Sequence, residues 1–272
     1  KEVILNNGTK IPSIGVGVFR VEDANIAYET VKTALSVGYR HVDTAMIYGN
    51  EEAVGKAIRD SGIPREEIFL TTKLWNDDQR SGKVEEAIEA SLKRLGMDYV
   101  NLYLVHWPVK ETYVSVWKKM EAVYKSGKAK AIGVSNYQTH HLADLLEEAE
   151  IIPAVNQIEC YPYLSQAATI QYCLERNIRP EAWGPLGAGK SDILTNPVIT
   201  EIAKKRGLTP AQVVLGWNLE RGVIVIPKSI HKERLTENLK CTDFELTDED
   251  MTRISALNKN LRLGADPDHF NF

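Results

Sequence analysis

Four residues in the first 106 positions carry chemistry at places where chemistry is unexpected. Asp43 ends the apolar run HVDTAMIYGN and Tyr48 stands just beyond it; Lys73 ends TTKLW; His106 ends LYLVHWP. A carboxylate, an ammonium, an imidazole and a phenol, brought together, can hold or move a proton. Taken singly, each has a plainer reading: Asp43 as a helix cap, Lys73 as a solvated charge, His106 as a satisfied core histidine. Their shared position at the ends of neighbouring apolar segments favours a common site. A second group suits an anion. Pro227-Lys228-Ser229-Ile230 closes the last apolar segment, and Arg234 and Asn238 follow at helical spacing, so Lys228 and Arg234 can reach one anion from a loop and a helix turn.

The segments between these residues define what must position them. A module of roughly 30 residues recurs, in which an apolar helical stripe ends at glycine and an apolar strand follows. Ala27, Val31, Ala34 and Leu35 stop at Gly38; Val84, Ile88, Leu92 and Leu95 stop at Gly96; Val116, Met120 and Val123 stop at Gly127. Leu142, Leu145, Leu146 and Ala149 precede AVNQIE, and Ile170, Cys173 and Leu174 lead through Asn177 to IRPEAWG. Thr209 to Gln212 reads as a capping box with Pro210 at the first helical position, and that helix ends at Gly222 before VIVIPKS. With GVGVF and IFLTTKLW this gives about eight strands alternating with helices, hence a parallel sheet covered by helices.

Eight such units in 272 residues predict a closed (β/α)8 barrel of the TIM type, in one domain spanning residues 1 to 272, because these barrels occupy about 250 residues. Its site belongs at the carboxyl ends of the strands, where Asp43, Lys73 and His106 fall. The opening VILNNGTKIP predicts a β-hairpin turned at Asn7-Gly8 across one end of the barrel, and the tail after Leu257 predicts a loop.

Composition sets the remaining bounds. Apolar residues at 43% and charged residues at 26% describe a chain that folds, and a net charge of -4 offers no general field for nucleic acid. No apolar run approaches the ~20 residues that span a bilayer. A cytoplasmic protein with neither nucleic-acid nor membrane partners is expected. Cys160, Cys173 and Cys241 form no paired motif, so neither a disulfide framework nor a metal site is expected.

GVGVF, HVDTAMIYGNE, TTKLWN, LVHWP, GVSN, VNQIE, WGPLG and IPKSIHKERLTEN together resemble the aldo-keto reductase family over nearly the whole chain. Trp183, where many relatives carry tyrosine or phenylalanine, makes it most similar to the bacterial 2,5-diketogluconate reductase-like group. The resemblance implies reduction of aldehydes and ketones by hydride from NADPH, with Asp43, Tyr48, Lys73 and His106 as the catalytic tetrad and a monomeric protein. Tyr48 is then the acid; Lys73 lowers its pKa; Asp43 keeps Lys73 protonated; a neutral His106 orients the carbonyl.

By the same resemblance Ser135, Asn136 and Gln157 hold the nicotinamide carboxamide and Trp183 stacks on its ring. Gly184, Pro185, Leu186, Gly187 and Gly189 cover the pyrophosphate, with backbone donors at Leu186 and Gly187. Lys228, Ser229, Ile230, Arg234 and Asn238 hold the 2'-phosphate and adenine. Phe19, Trp75 and Trp107 line the substrate cleft, for which small aldehydes, dicarbonyls and keto sugars are plausible. The short Pro108 to Trp117 segment and the short tail ending DPDHFNF predict an open pocket.

Two other readings compete. Gly184 to Ser191 matches the phosphate-loop pattern G-x-x-x-x-G-K-S/T, which would make the protein a nucleotide triphosphatase; Asn196-Pro197, however, breaks any helix begun at Lys190. GVGVFR only half matches a dinucleotide fingerprint, since Arg20 takes the third glycine's place. Some barrels of the resembled family bind NADPH as redox-sensing, non-catalytic subunits, and steady NADPH oxidation separates that role from a working reductase.

Overall fold

The computed structural model describes residues 1–272. Two short strands, β1 (Glu2–Ile4) and β2 (Lys10–Pro12), pair antiparallel. The turn falls at Asn7-Gly8 as predicted: Gly8 takes φ 87°, a conformation open to glycine, and Asn7 Oδ1 accepts from Thr9 N–H at 3.0 Å. Eight parallel strands follow: β3 (Val16–Gly17), β4 (His41–Asp43), β5 (Phe69–Leu74), β6 (Leu102–Val105), β7 (Ile132–Ser135), β8 (Val155–Glu159), β9 (Arg179–Trp183) and β10 (Ile224–Val225). They pair in chain order. The sheet closes where Gly15 N–H donates to Val225 C=O at 2.9 Å and Val225 N–H to Ser13 C=O at 3.0 Å. The expected (β/α)8 barrel is therefore present.

The helices are α1 (Ala24–Val37), α2 (Glu51–Asp60), α3 (Asn76–Ser81), α4 (Val84–Leu95), α5 (Val116–Ser126), α6 (Thr139–Glu148), α7 (Ala167–Glu175), α8 (Pro197–Arg206), α9 (Pro210–Glu220), α10 (Lys232–Leu239) and α11 (Asp248–Ser255). The predicted stripes of α1, α4 and α5 are buried against the barrel. In α6, Leu142 and Leu145 are buried while Leu146 and Ala149 are partly so. In α7 the stripe narrows to Ile170 and Cys173, because Leu174 in the last turn lies at the surface. The Thr209 and Gln212 capping box forms in full, with Pro210 opening α9.

Period-2 alternation along each strand sorts the barrel interior into layers. The lowest is apolar: Phe69, Leu102, Ala131, Ala154 and Ile224 pack on Leu5 and Ile11 of the hairpin, which plugs the amino end. Higher residues on the inward face are polar. Asp43, Lys73 and Ser135 sit at or near strand ends, at the opposite mouth, and Gln157 lies midway along β8. No helix is long and apolar enough to cross a membrane.

Candidate active site

Lys73 is the centre of the upper layer. It is fully buried on β5, and each of its three ammonium hydrogens has an acceptor: Asp43 Oδ1 at 2.6 Å, the Thr44 carbonyl at 2.9 Å and Tyr48 Oη at 3.0 Å. Burial alone would drive the ammonium to lose its proton. Asp43, reinforced by these hydrogen bonds, outweighs it and holds the Lys73 pKa above the ordinary lysine value. Because Tyr48 Oη accepts from Lys73, the phenolic hydrogen is free to point elsewhere.

At Tyr48 the expected pull of Lys73 is present but is outweighed by burial. Desolvation raises the phenol above its ordinary pKa; Lys73 pulls it down, but Asp43 partly offsets that pull. Tyr48 therefore stays a protonated acid. His106 is the other polar group facing it, with ring centroids 5.8 Å apart. Burial, helped by Lys73, holds His106 well below the usual histidine range, so the ring is neutral. Its Nδ1 is buried with no partner. An orphaned N–H is rarer than an orphaned acceptor, so the ring hydrogen belongs on Nε2.

Above this floor, Phe19 lies 5.2 Å from Tyr48 and Trp75 lies 5.3 Å from His106, centroid to centroid, while Trp107 is stacked beside His106. The tail completes the wall. Phe272 stacks on Trp75 and meets Trp107 edge-on at 5.2 Å; Phe270 also touches Trp107. The tail is a loop as expected, and its aromatic residues pack against those at the mouth. Glu159 anchors it through the N–H groups of Leu263 and Gly264, and Asp268 anchors it through Gln138, His140 and His141. These three metal-type donors, His140, His141 and Asp268, lie within 4.8 Å of one another. His141 Nδ1, however, accepts from Gln138 N–H at 2.9 Å, so its Nε2 carries hydrogen and faces Asp268 as a donor rather than a ligand.

The expected nicotinamide residues meet along the β7 to β9 rim. Asn136 takes φ 64° after Ser135, which turns its amide back into the barrel: Nδ2 donates to the His106 carbonyl at 3.0 Å, and Oδ1 accepts from Trp183 Nε1 at 2.8 Å. Ser135 Oγ donates to the Gln157 carbonyl. Gln157 donates through Nε2 to Asp43 and Glu181, and its Oε1 accepts from nothing in the protein.

In the following loop, Gly184, Gly187, Ala188 and Gly189 all have positive φ. The Gly187 N–H is spent on the Gly184 carbonyl, whereas Leu186, Ala188 and Gly189 keep free N–H groups. Pro185 is buried beside them. No helix opens at Lys190. A single 3-10 turn follows at Ile193–Thr195 and α8 starts only at Pro197, which removes the geometry a phosphate loop requires.

A cavity of about 380 Å³ joins Lys228, Ser229, Ile230 and Arg234 to Arg20, Val21, Glu22, Asp23, Ile26 and His231. Lys228 and Arg234 are exposed there and form no ion pair; Ser229 Oγ is engaged in a turn with His231 N–H. Asn238, one turn further along α10, is buried and does not line the cavity.

Residues 13–259 match the model of the aldo/keto reductase family. The chain belongs to that family. This aldo-keto reductase is 51% identical to the glyoxal reductase of Bacillus subtilis over 270 residues, covering 99% of this chain and 97% of the relative. It is 44% identical to the methylglyoxal reductase DkgA of Salmonella typhimurium, covering 98% of this chain and 96% of that one. MGS-M4, an aldo-keto reductase enzyme from a Medee basin deep-sea metagenome library, superposes with a TM-score of 0.96 at 47% identity, covering 99% of this chain and 100% of that one.

The wall opposite Lys228 and the aromatic tail of this aldo-keto reductase are what sequence reasoning missed. Arg20, at φ 60° and over the Phe19 ring, carried one signal: a residue with a side chain where the GVGVFR pattern wanted glycine.

Proposed function

We propose that this aldo-keto reductase reduces small aldehydes and dicarbonyls with NADPH, using Tyr48 as the proton donor. The observation that carries this reading is the saturation of Lys73. With its three hydrogens committed to Asp43, Thr44 and Tyr48, the ammonium is fixed beneath the phenol and leaves the phenolic hydrogen for a substrate oxygen. The glyoxal and methylglyoxal reductases among the relatives support small dicarbonyls as substrates.

Bound NADPH would supply the hydride. The remaining work falls to the protein. His106 Nε2–H orients the carbonyl and stabilises charge growing on its oxygen; Tyr48 delivers the proton there, and the phenolate left behind is stabilised by Lys73 until solvent restores the hydrogen. Trp75, Trp107, Phe270 and Phe272 exclude water from the reacting carbon. The chain offers groups that fit the cofactor: the unpartnered Gln157 Oε1, the Trp183 indole held by Asn136, the free N–H groups of Leu186, Ala188 and Gly189, and the unpaired Lys228 and Arg234 at the 380 Å³ cavity.

The test measures consumption of NADPH and NADH with glyoxal and methylglyoxal, and each cofactor's Kd by quenching of tryptophan fluorescence. Lys228→Gly and Arg234→His should each weaken NADPH about tenfold and spare NADH, since a charged hydrogen bond at an exposed site contributes about 1.5 kcal/mol. Equal losses for both cofactors would remove these residues from the 2'-phosphate. Cofactor binding without turnover on any carbonyl would favour a redox-sensing barrel instead.

A further inference from the structure

Beneath the tetrad lies a second polar cluster for which the reduction chemistry has no use. Barrel interiors are normally filled by branched aliphatic side chains. Here β4 and β9 place His41 and Glu181 inside, both fully buried. Gln157 separates them from the tetrad: one hydrogen of its amide goes to Asp43 Oδ2 at 2.8 Å, the other to Glu181 Oε1.

The hydrogen count below Gln157 can be worked out from the acceptors. His41 Nδ1 lies 3.1 Å from the Pro12 carbonyl. A carbonyl can only accept, so Nδ1 carries hydrogen and, in a neutral ring, Nε2 is a lone pair. That lone pair faces Glu181 Oε2 at 3.7 Å, and neither atom has a hydrogen-bond partner. Two lone pairs so placed in a dry interior repel, and a proton on one of the two atoms removes the repulsion.

The surroundings decide which atom holds it. Glu181 is faced by His41, Asp43 and Lys73; His41 is faced by Glu181, Asp43 and Lys73. An ionised Glu181 would leave two carboxylates to share the one ammonium, whose hydrogens are already committed. Burial and Asp43 push Glu181 up to about 8, and burial pushes His41 down to about 4, so both are uncharged at neutral pH.

We propose that Glu181 is a carboxylic acid whose hydrogen sits on Oε2, turned toward the His41 Nε2 lone pair, and that this neutral pair is a positioning element for Gln157 and the tetrad. It acts in two ways. Gln157 cannot turn its amide over, because Oε1 would then meet two oxygens; the oxygen is held away from both and left free to accept from a bound group. The pair also keeps one anion, Asp43, against one cation, Lys73. If Glu181 loses its proton, the added anion raises the Tyr48 phenol further and weakens it as an acid.

The effect on Tyr48 rests on the proposed reduction; the protonation of the pair does not, so the first measurements use the protein alone. Nitrogen NMR of the histidine rings should show His41 neutral at neutral pH with hydrogen on Nδ1. An imidazolium, or hydrogen on Nε2, would overturn the assignment. Between about 6.5 and about 8 the folded chain keeps a proton on Glu181 that the unfolded chain has lost, so stability falls as pH rises through that window; below it, the proton that His41 gains on unfolding offsets the one Glu181 loses. Glu181→Gln replaces Oε2–H with an amide N–H and retains an oxygen for Gln157, so it should fold and should lose this slope. An unchanged slope would count against a protonated Glu181.

Turnover supplies the functional arm. Wild type should show an inflection near pH 8 that Glu181→Gln lacks, with rates at neutral pH within about twofold. Glu181→Leu frees Gln157 and should raise the KM for cofactor about tenfold with a smaller change in kcat, and Gln at the same position should restore it. If no carbonyl is reduced, the functional reading fails while the NMR result still stands. If carbonyls are reduced and His41 is an imidazolium, the pair fails instead.

Discussion

At Tyr48 two effects of opposite sign meet, and their balance sets the chemistry. Desolvation keeps the hydrogen on the phenol; Lys73 makes its departure tolerable. Tyr48→Phe retains the ring against Phe19 and removes the acid, so turnover should fall by about 10²-fold or more while the Kd for cofactor is unchanged. Near wild-type rates on several carbonyls would assign the acid elsewhere. Lys73→Met should displace the pH dependence of any residual activity upward, because the remaining influences on Tyr48, burial and Asp43, both raise its pKa. His106 is neutral throughout the neutral range, so the kcat/KM profile should show no inflection near the ordinary histidine value; one there would mean that the ring is solvated and charged. Asp43, Lys73 and His106 were legible in the sequence because each interrupts an apolar strand at its end. Glu181 and His41 were not. Glu181 sits inside β9 and His41 opens β4, where a polar residue gains meaning only from the residue opposite, and their partners lie on other strands.

Helices and strands were read from periodicity because each stripe faces the same cylinder. Glycines after α1, α4 and α5 take positive φ where a stripe must stop. What periodicity cannot show is how closely two elements approach. Gly55 on α2 is one such place: a Cβ there would lie 2.0 Å from the Leu95 carbonyl at the end of α4. Gly55→Ala should therefore cost about 1 to 3 kcal/mol by forcing the two helices apart, against the small gain alanine normally brings to a helix. A lowered denaturant midpoint would register it, and a raised one would mean that α2 shifts freely. The tail was illegible for a related reason. Its Phe270 and Phe272 meet aromatics on β-strand ends, and Asp268 meets the start of α6 across 130 positions of sequence. No local pattern encodes such pairings.

For the molecule as a whole, the hairpin and the mouth divide the labour of the barrel. Leu5 and Ile11 close the amino end with apolar surface, and polar side chains occupy the other. Ile11→Ala opens a cavity in the plug and should cost about 2 to 5 kcal/mol in unfolding free energy while leaving cofactor affinity intact. A matching loss of affinity would show that the two ends are coupled. Closure itself joins segments at opposite extremes of the chain, since Ser13 and Gly15 exchange hydrogen bonds with Val225. On the ribosome, then, β3 has β4 beside it early but must wait for most of the message to be translated before its second neighbour, β10, exists. Until that moment the nascent polypeptide is an open sheet with two bare edges, the form in which strands recruit one another between molecules. A stop codon before Val223 would yield not a smaller reductase but insoluble protein.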